Sequence, residues 1–266
     1  MVAEPLFRAD LPPLLKWAGG KRWLVKHLQP HWSKHRDRLF VEPFVGGMGV
    51  TLGLRPKSAL LNDSNPHLIN FYQWVRRGLQ ISIPMVYERE FYLDYRKRFN
   101  QLIREKRANT AEAAALFYYL NRTGYNGLCR FNASGEFNVP FGKYKTVNYQ
   151  TDFSGYREVF RDWEFKTGDF SELAIDPDAF VYADPPYDVE FTQYSPGGFS
   201  WNDQVRLVEY LEKHRGPVII SNQLTDRIHE LYTKAGYAII VLPAPRRISC
   251  DGNRQDALEI LAFKNI

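Results

Sequence analysis

Residues 180–187 read FVYADPPY: an apolar run leads directly into an acidic residue, two prolines and an aromatic ring. Each proline fixes its own φ and favours an extended conformation in the residue before it, so the backbone at Asp184 and Pro185 is held rigidly. The apolar run itself predicts a strand. In open α/β sheets, ligands bind beyond the carboxyl ends of the strands. The segment therefore predicts a strand with a ligand site at its end.

The residues of this turn suit a reaction at an amino group. The Asp184 carboxylate and nearby backbone carbonyls can accept hydrogen bonds from an exocyclic amine and draw its lone pair towards a methyl donor. Tyr187 can stack on a base while the amine displaces the methyl group in line, a step that depends on positioning and electrostatics. An ordinary surface turn is the alternative, because Asp-Pro pairs commonly begin loops.

Similar apolar runs recur along the chain, with helix-like stretches between many of them. The predicted strands are residues 39–44, 58–61, 162–166, 180–183, 217–220, 237–242 and 257–263. The predicted helices are residues 66–77, 88–107, 111–120, 203–214 and 226–235. This alternation predicts an α/β fold built on a wound, mostly parallel sheet.

The alternation is interrupted between about residues 87 and 155. A charged helix, an apolar helix and a segment rich in glycine, asparagine and aromatic residues replace the strand-helix rhythm there. Such an interruption is typical of an inserted module. We therefore predict one domain made of residues 1–86 and 156–266, and a second domain made of residues 87–155.

Length and composition limit the class of protein. A chain of 266 residues can hold one large α/β domain with an insertion. No apolar run approaches the roughly 20 residues needed to cross a bilayer, the first residues do not resemble a secretion signal, and two cysteines are too few for a disulfide framework. These features predict a cytoplasmic protein without a membrane partner. The net charge of +5 suits a partner that carries phosphates, although many basic proteins bind no nucleic acid.

A second constellation is FVEPFVGGMG at residues 40–49, an apolar strand that enters a glycine-rich turn. Glycines such as Gly46 let a ligand approach the backbone. Asp63 ends the next predicted strand, where a carboxylate can hold ribose hydroxyls, so the spacing suits an adenosine ligand. The dinucleotide fingerprint and the phosphate loop are both missing from the sequence, which counts against NAD and ATP. A tight structural turn is the alternative.

Two further segments carry candidate binding residues. Residues 15–21, LKWAGGK, could bring the Trp17 ring and Lys21 to a nucleoside, or could equally begin a helix. Residues 121–142 place Asn-Gly and Ser-Gly turns between short aromatic segments, which predicts a projecting hairpin. Arginine can fork onto guanine, asparagine can pair with adenine, and an apolar side chain can touch the thymine methyl, so this hairpin could read bases. A loop held by its own amides is the alternative.

Other polar residues carry weaker signals. Arg247 follows Arg246 in a predicted loop that suits phosphate contact. The histidines are scattered, and His and Cys residues do not have metal-ligand spacing, so we predict no metal site.

Together these segments resemble the Dam-type family of DNA adenine-N6 methyltransferases, the D12 class of the alpha group, over nearly the whole chain. The motifs occur in that family's order, with the recognition insertion between the donor motifs and the catalytic motif. The resemblance implies a Rossmann-like S-adenosylmethionine-dependent methyltransferase sheet with an inserted helical and hairpin DNA-recognition domain. It also implies S-adenosylmethionine as methyl donor, no metal, and double-stranded DNA as partner, with GATC as the site in the best-known branch.

The resemblance assigns roles to individual residues. The catalytic motif is Asp184, Pro185, Pro186 and Tyr187. The donor contacts are Trp17, Lys21, Phe44, Gly46, Asp63, Asp169, Phe170 and Asp184. The DNA contacts are Lys16, Tyr125, Asn126, Leu128, Arg130 and Pro140, to which we add Arg247. The chain departs from the pattern at residues 188–200 and after Arg247, where it is shorter than enteric members of the family.

Several alternatives stay open at this point. Cytosine-N4 methylation uses a related transfer, although its motif more often opens with Ser than with Asp. A catalytically silent DNA-binding regulator and an RNA or protein amide methyltransferase are the others. Cytosine-C5 methylation is disfavoured because it needs a thiolate, commonly after proline, and neither Cys129 nor Cys250 follows one. A monomer is expected, with a dimer as the alternative, and the sequence leaves the biological role open.

Overall fold

The computed structural model describes residues 11–188, 198–244 and 257–266. They contain one mixed sheet of seven strands. The strands are β1 (Phe40–Glu42), β2 (Ala59–Asp63), β3 (Trp163–Thr167), β4 (Phe180–Ala183), β5 (Val218–Gln223), β6 (Ala238–Ala244) and β7 (Ala257–Lys264). Their order is β3-β2-β1-β4-β5-β7-β6. The first five strands in this order are parallel, and β7 runs antiparallel to both of its neighbours, β5 and β6.

The predicted α/β class and the mostly parallel sheet are confirmed. Strands β1 and β4 are buried along their whole length, as expected for parallel strands covered on both faces. Alternate residues of β4 enter two different apolar clusters, with Phe180 and Tyr182 in one and Val181 and Ala183 in the other. The sheet therefore separates two packed layers in a Rossmann-like arrangement.

The strand order fixes where a ligand can bind. The chain runs from β1 outwards to β2 and β3, and then returns to place β4 on the other side of β1. Ligands of open α/β sheets bind at such a switch point, beyond the carboxyl ends of the strands. The turns after Glu42 and Ala183 both open there.

Eight α-helices surround the sheet in the described chain. They are α1 (Val25–Trp32), α2 (Gly49–Leu54), α3 (Pro66–Arg77), α4 (Arg89–Arg104), α5 (Ala111–Thr123), α6 (Ser154–Val159), α7 (Trp201–Glu212) and α8 (Asp226–Lys234). The Asn65 side chain accepts hydrogen bonds from the first turn of α3, and Thr225 caps α8 in the same way. Ser200 and Asp203 form a reciprocal capping box at α7. These caps explain why the starts of the helices were readable from sequence.

The sequence did not predict helices α1, α2 and α6. Helix α1 contains Pro30, and α2 contains two glycines in six residues, so local propensity argues against both. Helix α2 forms because Val50, Leu52 and Leu54 are buried against the rest of the core. Tertiary packing overrides propensity here.

The segment between residues 87 and 155 adds α4, α5 and the first two residues of α6 without adding a strand to the sheet. Helix α5 is buried along nearly its whole length, against α3 and α4. Tyr92 and Phe99 from α4 belong to the same apolar cluster as Phe40 of the sheet. The segment thus shares an apolar core with the sheet layer that contains Phe40. Its division into a separate domain, residues 87–155, stays a prediction.

The predicted hairpin is looser than a regular β-ladder. Helix α5 continues to Thr123, so the first residues of the predicted loop are helical. The rest of the hairpin is joined by two isolated antiparallel bridges, Gly124 with Phe141 and Phe131 with Phe137, and by a turn that begins at Asn132. The Asn138 amide also donates to the Arg130 carbonyl and the Asn132 amide to the Glu136 carbonyl, so backbone hydrogen bonds join the two arms without forming a regular ladder.

No helix in the described ranges has both the length and the apolar character that crossing a bilayer requires.

Candidate active site

Asp184 lies directly after β4 and is held from two sides. The Nζ atom of Lys21 lies 2.8 Å from its Oδ1 and 3.0 Å from its Oδ2. The Ser221 hydroxyl of β5 donates to Oδ1 at 2.9 Å, and the Tyr182 hydroxyl lies 2.8 Å from the Ser221 oxygen. The Asp184 side chain is 19% exposed, and that of Lys21 is 6% exposed. A carboxylate is thus presented to the crevice with its orientation fixed.

This arrangement leaves Asp184 able to accept one more hydrogen bond. A carboxylate has about four acceptor directions. Oδ1 uses two of them on Lys21 and Ser221, whereas Oδ2 accepts from Lys21 alone among the described residues. The remaining direction on Oδ2 is available for an amino group.

The two prolines that follow are anchored through α7 and β5. The Gln204 side chain, which is 1% exposed, donates from Nε2 to the carbonyl of Pro186 at 2.8 Å. The Asn222 amide in turn donates to Oε1 of Gln204 at 3.1 Å. Buried amides therefore hold the backbone of the turn, in addition to the stiffness of the prolines themselves.

Tyr187 closes the turn beside a buried carboxylate that the sequence analysis did not single out. Its hydroxyl donates to Oε2 of Glu259 on β7 at 2.7 Å, and the Lys21 ammonium lies 4.6 Å from the centre of its ring. Glu259 is 2% exposed. The one signal in the sequence was a charged residue inside the apolar run ALEILAF at residues 257–263.

The charges of this cluster act on one another. Burial raises the pKa of Glu259 to about 7, although the Lys21 ammonium opposes the rise. Burial disfavours the charged form of Lys21, but Asp184, Tyr187 and Glu259 outweigh that cost and raise its pKa above the ordinary value. Lys21 is therefore a permanent cation between two carboxyl groups.

The glycine turn after β1 lies against Trp17. Gly46 has a φ of +43°, and a Cβ atom there would lie 2.7 Å from Nε1 of Trp17. A Cβ atom at Gly47 would lie 2.7 Å from the Cβ of Trp17. Only glycines allow the tryptophan to approach the turn this closely.

Asp63 ties the glycine turn to the end of β2. Its Oδ2 accepts from the Gly46 amide at 3.0 Å, and its Oδ1 accepts from the Asn65 amide at 2.9 Å. The Tyr72 hydroxyl donates to the carbonyl of Gly46 at 2.7 Å. Burial raises the pKa of Asp63 to about 6. The carboxylate predicted for ribose hydroxyls therefore lies directly beside the glycine turn.

Phe44 and Phe170 form an apolar wall next to this turn, with ring centroids 5.4 Å apart. Asp169 caps the short turn that begins at Phe170 by accepting from the Ser171 amide. Its other oxygen accepts from Arg206 of α7 at 2.6 Å. Three of the predicted donor contacts thus lie together, and the Asp169 carboxylate is already paired with an arginine.

A second buried carboxylate lies behind the glycine turn. Glu42, the last residue of β1, is 3% exposed and accepts a hydrogen bond from the Thr51 hydroxyl of α2. Burial raises its pKa to about 8, and Asp184 contributes to the rise. Sequence reasoning quoted this residue within the strand but assigned it no role.

Residues 15–21 connect the two halves of the site to helix α5. The Lys16 amide donates to Oδ1 of Asn121 at 2.8 Å, and the Asn121 amide donates back to the Lys16 carbonyl at 2.8 Å. Gly127 packs on Lys16 so closely that a Cβ atom would lie 2.2 Å from the lysine Cβ. The same short segment carries Trp17 to the glycine turn and Lys21 to Asp184.

The ammonium group of Lys16 points towards the protein and contacts its residues. Its Nζ donates to the Arg122 carbonyl at 2.9 Å and lies 3.4 Å from the centre of the Tyr144 ring. Burial lowers the pKa of Lys16 to about 8, and the charge of Arg122 adds to the effect. Lys16, one of the predicted DNA contacts, therefore already contacts groups within the protein.

The other predicted DNA contacts occupy the loop after α5. Tyr125 is 46% exposed, and Arg130 and Pro140 are also exposed. The Nε atom of Arg130 donates to the Asn138 side chain at 2.8 Å. Asn126 has a φ of +51° and is half-buried, as is Leu128, which packs against the core. Arg247 lies outside the described residues.

Within the described ranges, no three His, Cys, Asp or Glu side chains come together in a way that could hold a metal ion.

Comparison with known proteins identifies the family. A family model described as the D12 class N6 adenine-specific DNA methyltransferase matches residues 17–248. The DNA adenine methylase of Vibrio cholerae serotype O1 is 37% identical over 271 residues, and the alignment covers 94% of each chain. That of Escherichia coli strain K12 is 34% identical and also covers 94% of each chain. The chain belongs to the D12 class of N6 adenine-specific DNA methyltransferases.

The family predicted from the sequence is thereby confirmed. As a D12-class protein, the chain is an adenine-specific DNA methyltransferase, and its substrate is DNA. The matched range of the family model includes the glycine turn and Asp184, but it ends before β7 and Glu259. Among solved structures, a precorrin methyltransferase from Geobacter metallireducens aligns over 96% of this chain with 9% identity and a TM-score of 0.38.

Proposed function

We propose that this enzyme transfers a methyl group from S-adenosylmethionine to N6 of an adenine within GATC in double-stranded DNA, after that adenine has rotated out of the duplex. The observation that carries the proposal is the Asp184 carboxylate, which Lys21 and Ser221 hold at the carboxyl end of β4 with one acceptor direction free. The same switch point of the sheet holds the glycine turn.

The residues around the glycine turn fit the methyl donor. The glycines let Trp17 pack against the turn, because a side chain at Gly46 or Gly47 would collide with it. Asp63 offers acceptor oxygens for ribose hydroxyls, and Phe44 and Phe170 offer an apolar wall for a purine. We assign these residues to the donor, together with Asp169 and Lys21. The donor supplies a methyl group activated by its bond to a positively charged sulfur.

The catalytic turn prepares the amine. Oδ2 of Asp184 and the carbonyl of Pro185 accept hydrogen bonds from the N6 amino group, which brings its lone pair out of conjugation with the ring. Tyr187 stacks on the base and sets its plane. N6 then forms the new bond to carbon as the bond to sulfur breaks, and the surplus proton leaves N6 by way of Asp184 to water.

A base inside the duplex cannot reach the site around Asp184, so the adenine must leave the stack. The net charge of +5 favours binding of the phosphate backbone. The family resemblance implies that the loop after α5 contacts DNA, and from side-chain chemistry we assign Arg130 to guanine and Leu128 and Pro140 to the thymine methyl. Tyr125 and Asn126 complete the reader, and Lys16 joins it by releasing the Arg122 carbonyl.

The remaining assignments follow the sequence analysis. We propose that the enzyme acts as a monomer in the cytoplasm and that Arg247 contacts a phosphate of the bound duplex.

The proposal is tested by incubating the enzyme with S-adenosylmethionine and mixed-sequence duplex DNA, followed by nucleoside mass spectrometry and mapping of the modified positions. We expect N6-methyladenine confined to GATC. Asp184→Ala should abolish the product, whereas the exposed Asp37→Ala should leave it unchanged. Methylcytosine as the product, or a wild-type enzyme that binds both substrates without methylating, would overturn the proposal. N6-methyladenine at another sequence would overturn the GATC assignment alone.

A further inference from the structure

Glu259 is a buried carboxylate inside an otherwise apolar central strand. It is 2% exposed on β7, opposite Gln223 of β5 and Leu242 of β6, and the residues that follow it, from Ile260 to Ala262, are all fully buried. Burying a carboxylate costs free energy unless it is paired and hydrogen-bonded. An apolar residue would pack at this position without that cost. The contacts of Glu259 must therefore explain why an acidic residue occupies this position.

Its first contact is with the tyrosine of the catalytic turn. Oε2 accepts from the Tyr187 hydroxyl at 2.7 Å. The hydroxyl is the end of the Tyr187 side chain farthest from the backbone. A hydrogen bond there restrains rotation of the ring about the side-chain torsion angles. A carboxylate acceptor makes this bond stronger than a neutral one.

Its second contact holds the carboxylate itself in place. Oε1 of Glu259 lies 3.6 Å from the Lys21 ammonium and has no hydrogen-bond partner in the described part of the chain. The same ammonium lies 2.8 Å from Asp184. Lys21 thus attracts Glu259 towards the catalytic turn, while its hydrogen bonds go to Asp184 and to the Gly19 carbonyl.

We propose that Glu259 is a positioning residue, which orients the Tyr187 ring for stacking on the target adenine by accepting the hydrogen bond of its hydroxyl. The inference rests on the proposed function, in which Tyr187 stacks on the base. We assign Glu259 no contact with substrate or donor. It acts through Tyr187, and the matched range of the family model does not include it.

The test compares Tyr187→Phe, Glu259→Leu and the double variant in single-turnover methylation of a duplex that the wild-type enzyme modifies. Loss of the hydroxyl or of its acceptor frees the ring, so each single variant should lower the rate by about tenfold to a hundredfold. The double variant should be no slower than the slower single variant, because both changes remove the same bond. Glu259→Gln keeps an acceptor oxygen and should recover most of the rate.

Binding measurements separate positioning from a general structural role. Dissociation constants for S-adenosylmethionine and for the duplex should stay within about twofold of wild type in all four variants, since the bond acts on the plane of the base. Tyr156→Phe is the matched control: it removes a buried tyrosine hydroxyl that donates to the Pro12 carbonyl at 2.7 Å, outside the site, and should retain the wild-type rate. Glu259→Ala serves in the same cycle if the leucine variant does not fold.

Three results would overturn the inference: rate losses that multiply in the double variant, a wild-type rate in a folded Glu259→Leu protein, or unfolding of both the leucine and alanine variants, which would make the role structural. A wild-type enzyme that makes no N6-methyladenine would instead defeat the proposed function. The two failures are therefore distinguishable, because only the second is visible without any variant.

Discussion

The corner around Asp184 and the loop at residues 124–142 are built in opposite ways. At the corner, Lys21, Ser221 and Glu259 arrive from distant parts of the chain and hold one another or the catalytic turn through short polar contacts. The loop is joined by two isolated bridges and leaves Tyr125 and Arg130 exposed. Chemistry requires groups that are fixed before the substrate arrives, whereas reading a duplex requires side chains that are still free to pair.

The largest effect should come from removing the cation of the corner. Lys21→Met leaves Asp184 and Glu259 as buried carboxyl groups without their shared ammonium. Breaking a buried ion pair from one side costs about 3–5 kcal/mol, so we expect a lower free energy of unfolding and at least a hundredfold loss of methylation. Denaturant unfolding and single-turnover rates measure the two effects. The exposed Lys234→Met should change neither, and a stable, active Lys21→Met enzyme would contradict the fixed corner.

Next in size is the effect of filling the glycine turn. In Gly47→Ala the new methyl group would lie 2.7 Å from Trp17, which must move. We expect the dissociation constant for S-adenosylmethionine to rise about tenfold, because Trp17 would no longer lie where the donor contacts it. Calorimetric titration measures it, and the exposed Gly155→Ala is the control for glycine replacement, because a Cβ atom there would lie 3.5 Å from its nearest neighbour, Leu11. Unchanged affinity would mean that Trp17 does not line the donor site.

The loop should respond in specificity rather than in stability. Arg130 is exposed and pairs only with the Asn138 side chain and carbonyl among the described residues. In Arg130→Ala we expect a loss of about 1–3 kcal/mol in discrimination at the guanine position and an unchanged melting temperature. Competition between duplexes that differ at that base measures the discrimination. If the substitution weakened all duplexes equally, Arg130 would be a backbone contact instead.

A further effect should come from pH, and it involves both the corner and the glycine turn. The pKa values of Glu42, Asp63 and Glu259 are about 8, 6 and 7, above the ordinary values of 4.5, 3.8 and 4.5. The folded state therefore binds these protons more tightly than the unfolded chain does, and the stability that they contribute is lost as pH rises through this range. We expect the melting temperature to fall between pH 5 and pH 8. Glu42→Gln should flatten the slope, and a rise with pH would contradict the sign.

The sequence predicted the sheet well because strands and their caps leave local signals. All seven described strands lie within a few residues of the predicted ranges, including the antiparallel β7. Helix α2 was missed because its two glycines have low helix propensity. The helix is stabilised by the burial of Leu52 and its apolar neighbours, which the local sequence does not show. Local patterns describe what a segment prefers, and they do not report what it packs against.

The candidate site was predictable where motifs name their own residues. Asp184 and the glycine turn carry recognisable spacing, but Glu259 meets its tyrosine 72 residues away and looked like one irregularity in an apolar strand. The internal commitment of Lys16 was equally hidden, because Tyr144 and Arg122 belong to other segments. Long-range pairs of this kind have no periodicity that a single sequence can display.

The position of β7 between β5 and β6 has a consequence for biosynthesis. Of the seven described strands, β7 is the last to leave the ribosome, yet it is the one that joins β6 to the rest of the sheet. Until it emerges, β6 has no pairing strand among the described residues, and Tyr187 lacks its hydrogen-bond acceptor. A nascent chain can therefore complete the parallel part of the sheet early, but the polar contacts around Asp184 and Tyr187 are complete only after β7 has been made.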